Sequence, residues 1–251
     1  MRIKVIVAAH KRCAMPIDEL YLPLQAGAAL HDPIGFERDD SGDNISAKNG
    51  GFCELTCLYW AWKNLQADCV GLAHYRRHFK GRGKQVLTLA EADKLLSDTD
   101  IVLTKKRRYY IETLYDHYAH THAVKPLDTA GEIIAQKYPD YLPEFERLKK
   151  RTSAHMFNMM IMRRDLFDRY CEWLFDILFE LEKRVDTAGM SAFDARFYGR
   201  VSELLLDVWL NTNGCSYKEI PFIYTEKVNR IKKAVGFLSA KFLGKKYDKS
   251  F

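Results

Sequence analysis

Short apolar runs along the chain alternate with longer stretches in which apolar residues recur every three or four positions. Arg2–Ala9 (RIKVIVAA) is β-branched and brief, which predicts a buried strand. From His10 to about Gly51 the chain is polar and turn-rich, and includes Asp39-Asp40-Ser41-Gly42-Asp43-Asn44. A segment this long inside a compact domain reads as a functional loop. Between Cys53 and Leu65 the spacing of Leu55, Leu58, Tyr59 and Trp62 predicts an amphipathic helix. Asp68–Ala73 reads as a second buried strand. Thr88, with Glu91 three residues on, forms a capping box opening a helix to Ser97. Asp100–Thr104 is a third strand. Tyr109 to Val124 is aromatic and His-rich and reads as helical, and Leu127–Lys137 is a helix ended by Tyr138-Pro139. Met156–Met162 is a fourth strand, Asp165–Arg184 and Phe193–Leu210 are helices, and Lys218–Ile223 is a short last strand. Strands alternating with helices predict an α/β fold with a mainly parallel central sheet flanked by helices.

The 251 residues suffice for one large domain with a sizeable core. No run of about 18 apolar residues is present, so no spanning helix is expected. The short apolar start, running into His10-Lys11-Arg12, reads as a core strand and not as a signal peptide. The six cysteines form no CxxC pair and read as free thiols of a reducing compartment. Charge divides the chain. Residues 225 to 251 hold eight of the 39 basic residues and only two of the 33 acidic ones, which leaves the body formally neutral. Residues 1–225 are therefore expected to form the main domain, and 226–251 a basic amphipathic C-terminal helix. Val228, Ile231, Val235, Leu238 and Phe242 fall on one helical face of that segment. Its lysines suit an anionic membrane surface, so a cytoplasmic protein peripheral on the inner face of the plasma membrane is expected. The alternative is a terminal helix packing its stripe on the body.

In open α/β sheets, ligands bind beyond the carboxyl ends of strands. Three segments occupy that position, and all are basic or aromatic: His10-Lys11, His74-Tyr75-Arg76-Arg77-His78 and Lys105 to Tyr110. Guanidinium forks at Arg76 and Arg77 fit phosphate oxygens in pairs, and Tyr75 could stack on a base or sugar. The ordinary reading of such a stretch is a solvated basic turn, which its place after a buried strand disfavours.

The runs Asp43-Asn44-Ile45-Ser46 with Lys48-Asn49, Cys53-Glu54-Leu55-Thr56 with Leu58-Tyr59-Trp60-Ala61-Trp62-Lys63-Asn64, and Gly71-Leu72-Ala73-His74-Tyr75-Arg76-Arg77 resemble a family of bacterial capsular and exopolysaccharide biosynthesis glycosyltransferases. That family was formerly a domain of unknown function and includes galactofuranosyltransferase-like members. His10-Lys11 and Asn158-Met159-Met160-Ile161-Met162 also fit, and the resemblance extends to about residue 225. It implies a GT-A-like fold and transfer of a sugar, galactofuranose or galactose, from a UDP-sugar donor to a glycan or lipid-linked saccharide acceptor in capsular, exopolysaccharide or O-antigen synthesis. Donor-binding candidates are then His10, Lys11, Asp43, Asn44, Lys48, Asn49, His74, Tyr75, Arg76 and Arg77.

Many GT-A enzymes hold a metal with Asp-x-Asp at a strand's carboxyl end. The one clear match, Asp98-Thr99-Asp100, lies at the amino end of the third strand and reads as turn chemistry. Cations stand where the motif is expected, so metal-independent transfer without a cofactor is anticipated. The base that deprotonates the acceptor is sought among Glu203, Asp116 and His155. His120, Asn158 and Arg200 are acceptor-binding candidates. Two other functions compete. A nucleic-acid module built on Lys105 to Tyr110 is disfavoured by the neutral body, so no nucleic-acid partner is expected. A metal hydrolase would need partners for Asp116, His117 and His120.

Overall fold

The computed structural model describes residues 1–226. The expected C-terminal helix and its membrane contact lie outside the described residues. Among the described residues eleven strands are formed: β1 Ile3–Ala9, β2 Tyr21–Gln25, β3 Glu37–Arg38, β4 Cys69–His74, β5 Arg77–Phe79, β6 Ile101–Thr104, β7 Arg107–Arg108, β8 Ser153–Ala154, β9 Met160–Arg163, β10 Lys218–Ile220 and β11 Phe222–Tyr224. The helices are α1 Asn49–Phe52, α2 Leu55–Asn64, α3 Leu89–Leu96, α4 Leu114–Thr121, α5 Lys125–Lys137, α6 Leu142–Lys150, α7 Arg164–Arg184 and α8 Phe197–Thr212.

The central sheet runs β10-β6-β9-β4-β1-β2-β3. All neighbours are parallel except β9, which lies antiparallel between β4 and β6. Successive side chains of a strand face opposite sides, and the core divides accordingly. Ile6, Ala8, Val70, Leu72, Ile101, Leu103, Met160 and Met162 face a thick layer built from α2, α5, α7 and α8. Val5, Val7, Ala73, Val102 and Ile161 face a thinner one that includes Leu87, Ala92 and Leu96 of the α3 region. The α7 stripe of Phe167, Tyr170, Cys171, Leu174, Phe175, Leu178 and Leu181 is buried at helical spacing. Truncating a core leucine such as Leu174 to Ala costs about 2–5 kcal/mol. The capping box is formed: Thr88 Oγ1 accepts from the Glu91 N–H, and the Glu91 carboxylate accepts from the Thr88 N–H at 3.0 Å.

Three expectations are corrected. The polar stretch after β1 is not all loop, since β2 and β3 extend the sheet there. The last strand is two, broken at Pro221, whose carbonyl accepts from Lys80 N–H at 2.8 Å. The fourth strand begins at Met160 and not Met156, because Phe157 and Asn158 adopt left-handed φ values of 79° and 53°.

Asp98-Thr99-Asp100 sits in the turn before β6. Asp100 pairs with Arg163 at 2.5 Å, away from the strands' carboxyl edge. No helix among the described residues is long and apolar enough to cross a membrane.

Candidate functional site

A cleft of about 830 Å³ opens at the carboxyl edge of the sheet, within the size range of small-ligand sites. β1 runs out into it through Ala8, Ala9 and His10, and β4 through His74 to Arg77. Because β9 is antiparallel, the chain before it arrives at this same edge and brings Phe157. The start of α8 adds Arg196, Arg200 and Glu203, and the turn before α2 adds Glu54. Five guanidinium groups thus line the cleft (Arg76, Arg77, Arg107, Arg196 and Arg200) against two carboxylates, Glu54 and Glu203. Such a wall attracts anions.

The cations are individually braced. The Arg77 guanidinium lies over the Phe157 ring at 4.1 Å and faces Tyr224 at 5.6 Å. Its buried Nε has no hydrogen-bond partner among the described residues. Arg200 donates to the Phe193 carbonyl at 2.6 Å and stacks on that ring at 4.0 Å, while its buried Nη1 lacks a hydrogen-bond partner among those residues. Unmet buried donors on cations favour an anionic ligand. Arg196 Nε donates to Cys53 Sγ at 3.1 Å, and burial pushes that thiol up, so it stays protonated. Glu226 reaches Lys11 at 2.9 Å and Arg76 at 3.6 Å.

Imidazoles beside these cations are neutral. Burial, then Arg77 and Arg76, push His74 down to about 3. Its Nδ1 accepts from the Arg76 N–H at 3.3 Å, which leaves the ring proton on Nε2. Burial and then Arg76 also lower His10, which lies 3.5 Å from the Tyr75 hydroxyl.

The carboxylates form a contrast. Glu203 is packed deep in the wall with its end partly open to the cleft. Burial, then the neighbouring Glu54, push it up to about 7, against the opposing pull of Arg77, Arg107 and the Phe157 N–H. Asn158 sits behind the pair. It donates to Glu54 at 2.8 Å and to the Gly199 carbonyl at 3.1 Å, and accepts from Ser202 at 2.8 Å.

Of the candidate residues, His10, Asn49, His74, Tyr75, Arg76, Arg77, Arg200 and Glu203 come together at the cleft. Tyr75 is 1% exposed and supports the floor between His10 and His74, so its ring offers no stacking platform. Lys11 stands at the rim beside Tyr75. Asp43, Asn44 and Lys48 are not brought to the wall. Asp43 accepts from the Tyr59 hydroxyl at 3.1 Å, Asn44 satisfies the carbonyls of Asp40 and Gly42, and Lys48 pairs with Glu182. For Asn44 the reason is local, since Asx side chains in irregular chain bond nearby backbone, while α2 and α7 take up Asp43 and Lys48. Asp116 closes the cap of α4 with Thr113. His120 is held by Glu112 at 2.9 Å, and Glu112 also holds His117, which does line the cleft. His155 is wholly buried between Asp207 and Glu219, with both ring nitrogens occupied. It is not brought to the cleft wall. No group of three or more His, Cys, Asp or Glu among the described residues is arranged to hold a metal.

Arg107, from the strand-end segment Lys105 to Tyr110, and His117, named for the hydrolase alternative, also line the cleft, and Arg196 and Glu54 join them from outside the expected set. Arg196 immediately precedes α8, four and seven residues before Arg200 and Glu203, and that spacing is the signal that could have found it.

A family model described as "Domain of unknown function (DUF4422)" matches residues 4–214. Among solved structures, an apo structure of the WbbM bifunctional glycosyltransferase superposes with a TM-score of 0.84 at 29% identity, covering 90% of this chain and 46% of that one. This chain thus spans under half the length of that protein. No curated protein matches it.

Proposed function

The chain belongs to the DUF4422 family, and we propose that it is a glycosyltransferase that moves a sugar from a nucleoside-diphosphate donor, UDP first among candidates, to an acceptor hydroxyl. One observation carries this reading: a cleft at the carboxyl edge of the sheet sets five guanidinium groups around a carboxyl poised near neutrality. The likeness to a bifunctional glycosyltransferase supports it.

In this reading Arg76 and Arg77, with the His74 Nε2–H, hold the diphosphate and its developing charge. The side chains of Ala8 and Ala9 at the end of β1 leave room for the nucleoside beside His10 and Asn49. The acceptor oxygen attacks the anomeric carbon, the bond from that carbon to the diphosphate breaks, and Glu203 takes the hydroxyl proton. A base with a pKa near the working pH suits that task. Burial, and then Glu54 by like-charge repulsion, keep Glu203 basic, and Asn158 fixes Glu54. The guanidinium groups do the charge neutralisation that a metal does elsewhere. Donors carrying galactofuranose or galactose are the first to test, with a capsular, exopolysaccharide or O-antigen glycan as acceptor. A location on the inner membrane face rests on the sequence of 226–251 alone.

The test is a panel of nucleotide sugars, read by ligand-dependent stabilisation and by release of the nucleotide. A UDP-sugar should raise the melting temperature and be turned over. A panel in which no nucleotide sugar stabilises the protein would remove the reading.

A further inference from the structure

The basic, aromatic segment after β6 is only partly used by the site. Arg107 and Tyr109 line the cleft, but the next two residues turn outward, with Tyr110 86% exposed and Ile111 51% exposed. Two adjacent large apolar side chains at a turn tip are unusual, since exposed tips are commonly small and polar. Nor is the tip loose. β7 pairs with β8, Tyr109 N–H donates to the Thr152 carbonyl at 2.7 Å, and Leu114 N–H donates to the Arg151 carbonyl at 2.7 Å. The fold therefore holds Tyr110 and Ile111 out on a braced stem.

Around that stem the exposed charge is positive. Lys105, Arg108 and Lys150 are exposed there against one exposed carboxylate, Asp116, which is engaged by Thr113 at the start of α4, while Glu112 is buried and taken by two imidazoles. An aromatic and an aliphatic side chain at a tip, collared by long basic residues, match a bilayer interface. The apolar pair enters the acyl boundary and the cations meet anionic headgroups. Single-stranded nucleic acid fits less well, because Ile111 can neither stack on a base nor hydrogen-bond to one.

We propose that the Tyr110–Ile111 turn docks on an anionic lipid surface and holds the mouth of the cleft against it, so that the acceptor is a membrane-borne, lipid-linked saccharide. The identity of the acceptor rests on the glycosyltransferase reading, whereas the lipid contact does not. It is placed one residue from Tyr109 of the cleft wall.

The test uses the full chain and two double variants, Y110S/I111S and K105E/R108E. Co-sedimentation is measured with phosphatidylcholine vesicles, with and without phosphatidylglycerol. The unaltered protein should bind only the anionic vesicles. Each basic residue removed should weaken binding on the order of fivefold, and Y110S/I111S should weaken it comparably. UDP binding and donor hydrolysis in solution should be unchanged in both variants, which also shows that they fold. Transfer to a lipid-linked acceptor in vesicles should fall with the binding. Vesicle binding equal to that of the unaltered protein in both variants, or no vesicle binding by the unaltered protein, overturns the proposal. So does a loss confined to oligonucleotide binding. If the unaltered protein binds vesicles through this turn but turns over no nucleotide sugar, the functional reading fails and the lipid contact stands.

Discussion

Replacing Glu203 by Gln tests whether the site stores its reactivity as folding free energy. The carboxyl is pushed from its ordinary 4.5 up to about 7 by burial and by Glu54. A shift of that size corresponds to about 3 kcal/mol between the two protonation states. Because the carboxyl end opens partly on the cleft, screening by water reduces this to about 1–2 kcal/mol. The sign follows from linkage. A carboxyl whose folded value is raised favours the folded state fully below its unfolded value, and that contribution is lost as pH rises through about 7. Above neutrality the wild-type protein must carry an ionised, poorly solvated Glu203 beside Glu54, whereas the amide carries no charge. E203Q should therefore match the wild type in urea unfolding at acidic pH and exceed it by about 1–2 kcal/mol in mildly alkaline buffer. Its turnover should fall by about 10²- to 10⁴-fold while UDP affinity is retained. Wild-type kcat/KM should rise with pH through an apparent pKa of about 7. A variant with near-normal turnover, or one with no stability gain at alkaline pH, would refute the reasoning.

Three other outcomes follow from the same wall and its support. Arg76→Ala and Arg77→Ala should each weaken UDP binding by about 1.5–3 kcal/mol, measured by calorimetry; unchanged affinity in both removes the diphosphate assignment. Turnover should survive EDTA, and complete loss restored by manganese would show that a metal, and not the guanidinium groups, neutralises the leaving diphosphate. Asp207→Ala strips the buried His155 of its partner at Nδ1 and at the backbone N–H, leaving only Glu219 at Nε2, and should destabilise the fold by about 3–5 kcal/mol. Burial works to raise Asp207, but His155 outweighs it and holds the carboxyl below 3.8, so the wild-type advantage should be full above 3.8 and fade as pH falls below it.

Periodicity made the helices α2, α3, α5, α7 and α8 legible, as well as β1, β4 and β6, because each buries one stripe or both faces in a long enough run. It failed where the signal was short or mixed. β2 is five residues with Pro23 inside, and α6 is nine residues dominated by charge. At the site, the strand-end rule found His10 and His74 to Arg77 because their position depends on chain order alone. The same rule reached Lys105 to Tyr110, which holds Arg107, whereas Glu54 depends on how α2 settles over the edge, and no local pattern encodes that. The loop residues Asp43 and Asn44 lie away from the cleft for a related reason. Asp43 and Asn44 have the right chemistry for a sugar, but Tyr59 and nearby backbone take it up first.

The antiparallel β9 also governs when the protein can become whole during synthesis. Residues 3 to 74 can pair β1 with β2 and β4 early, but β4 then ends the sheet with an open side. β6 cannot join that sheet until Met160–Arg163 inserts between the two, with Leu72 and Leu103 both facing Met160. A nascent chain that has emerged as far as α6 therefore presents an apolar, unpaired β4 edge to water or to a chaperone. The four residues of β9 close that interval, and they also carry behind them the left-handed turn that seats Asn158 under Glu54. Insertion of β9 thus joins the two halves of the sheet and readies the support for Glu54 in one step, before α8 brings Glu203 and β10 closes the β6 edge.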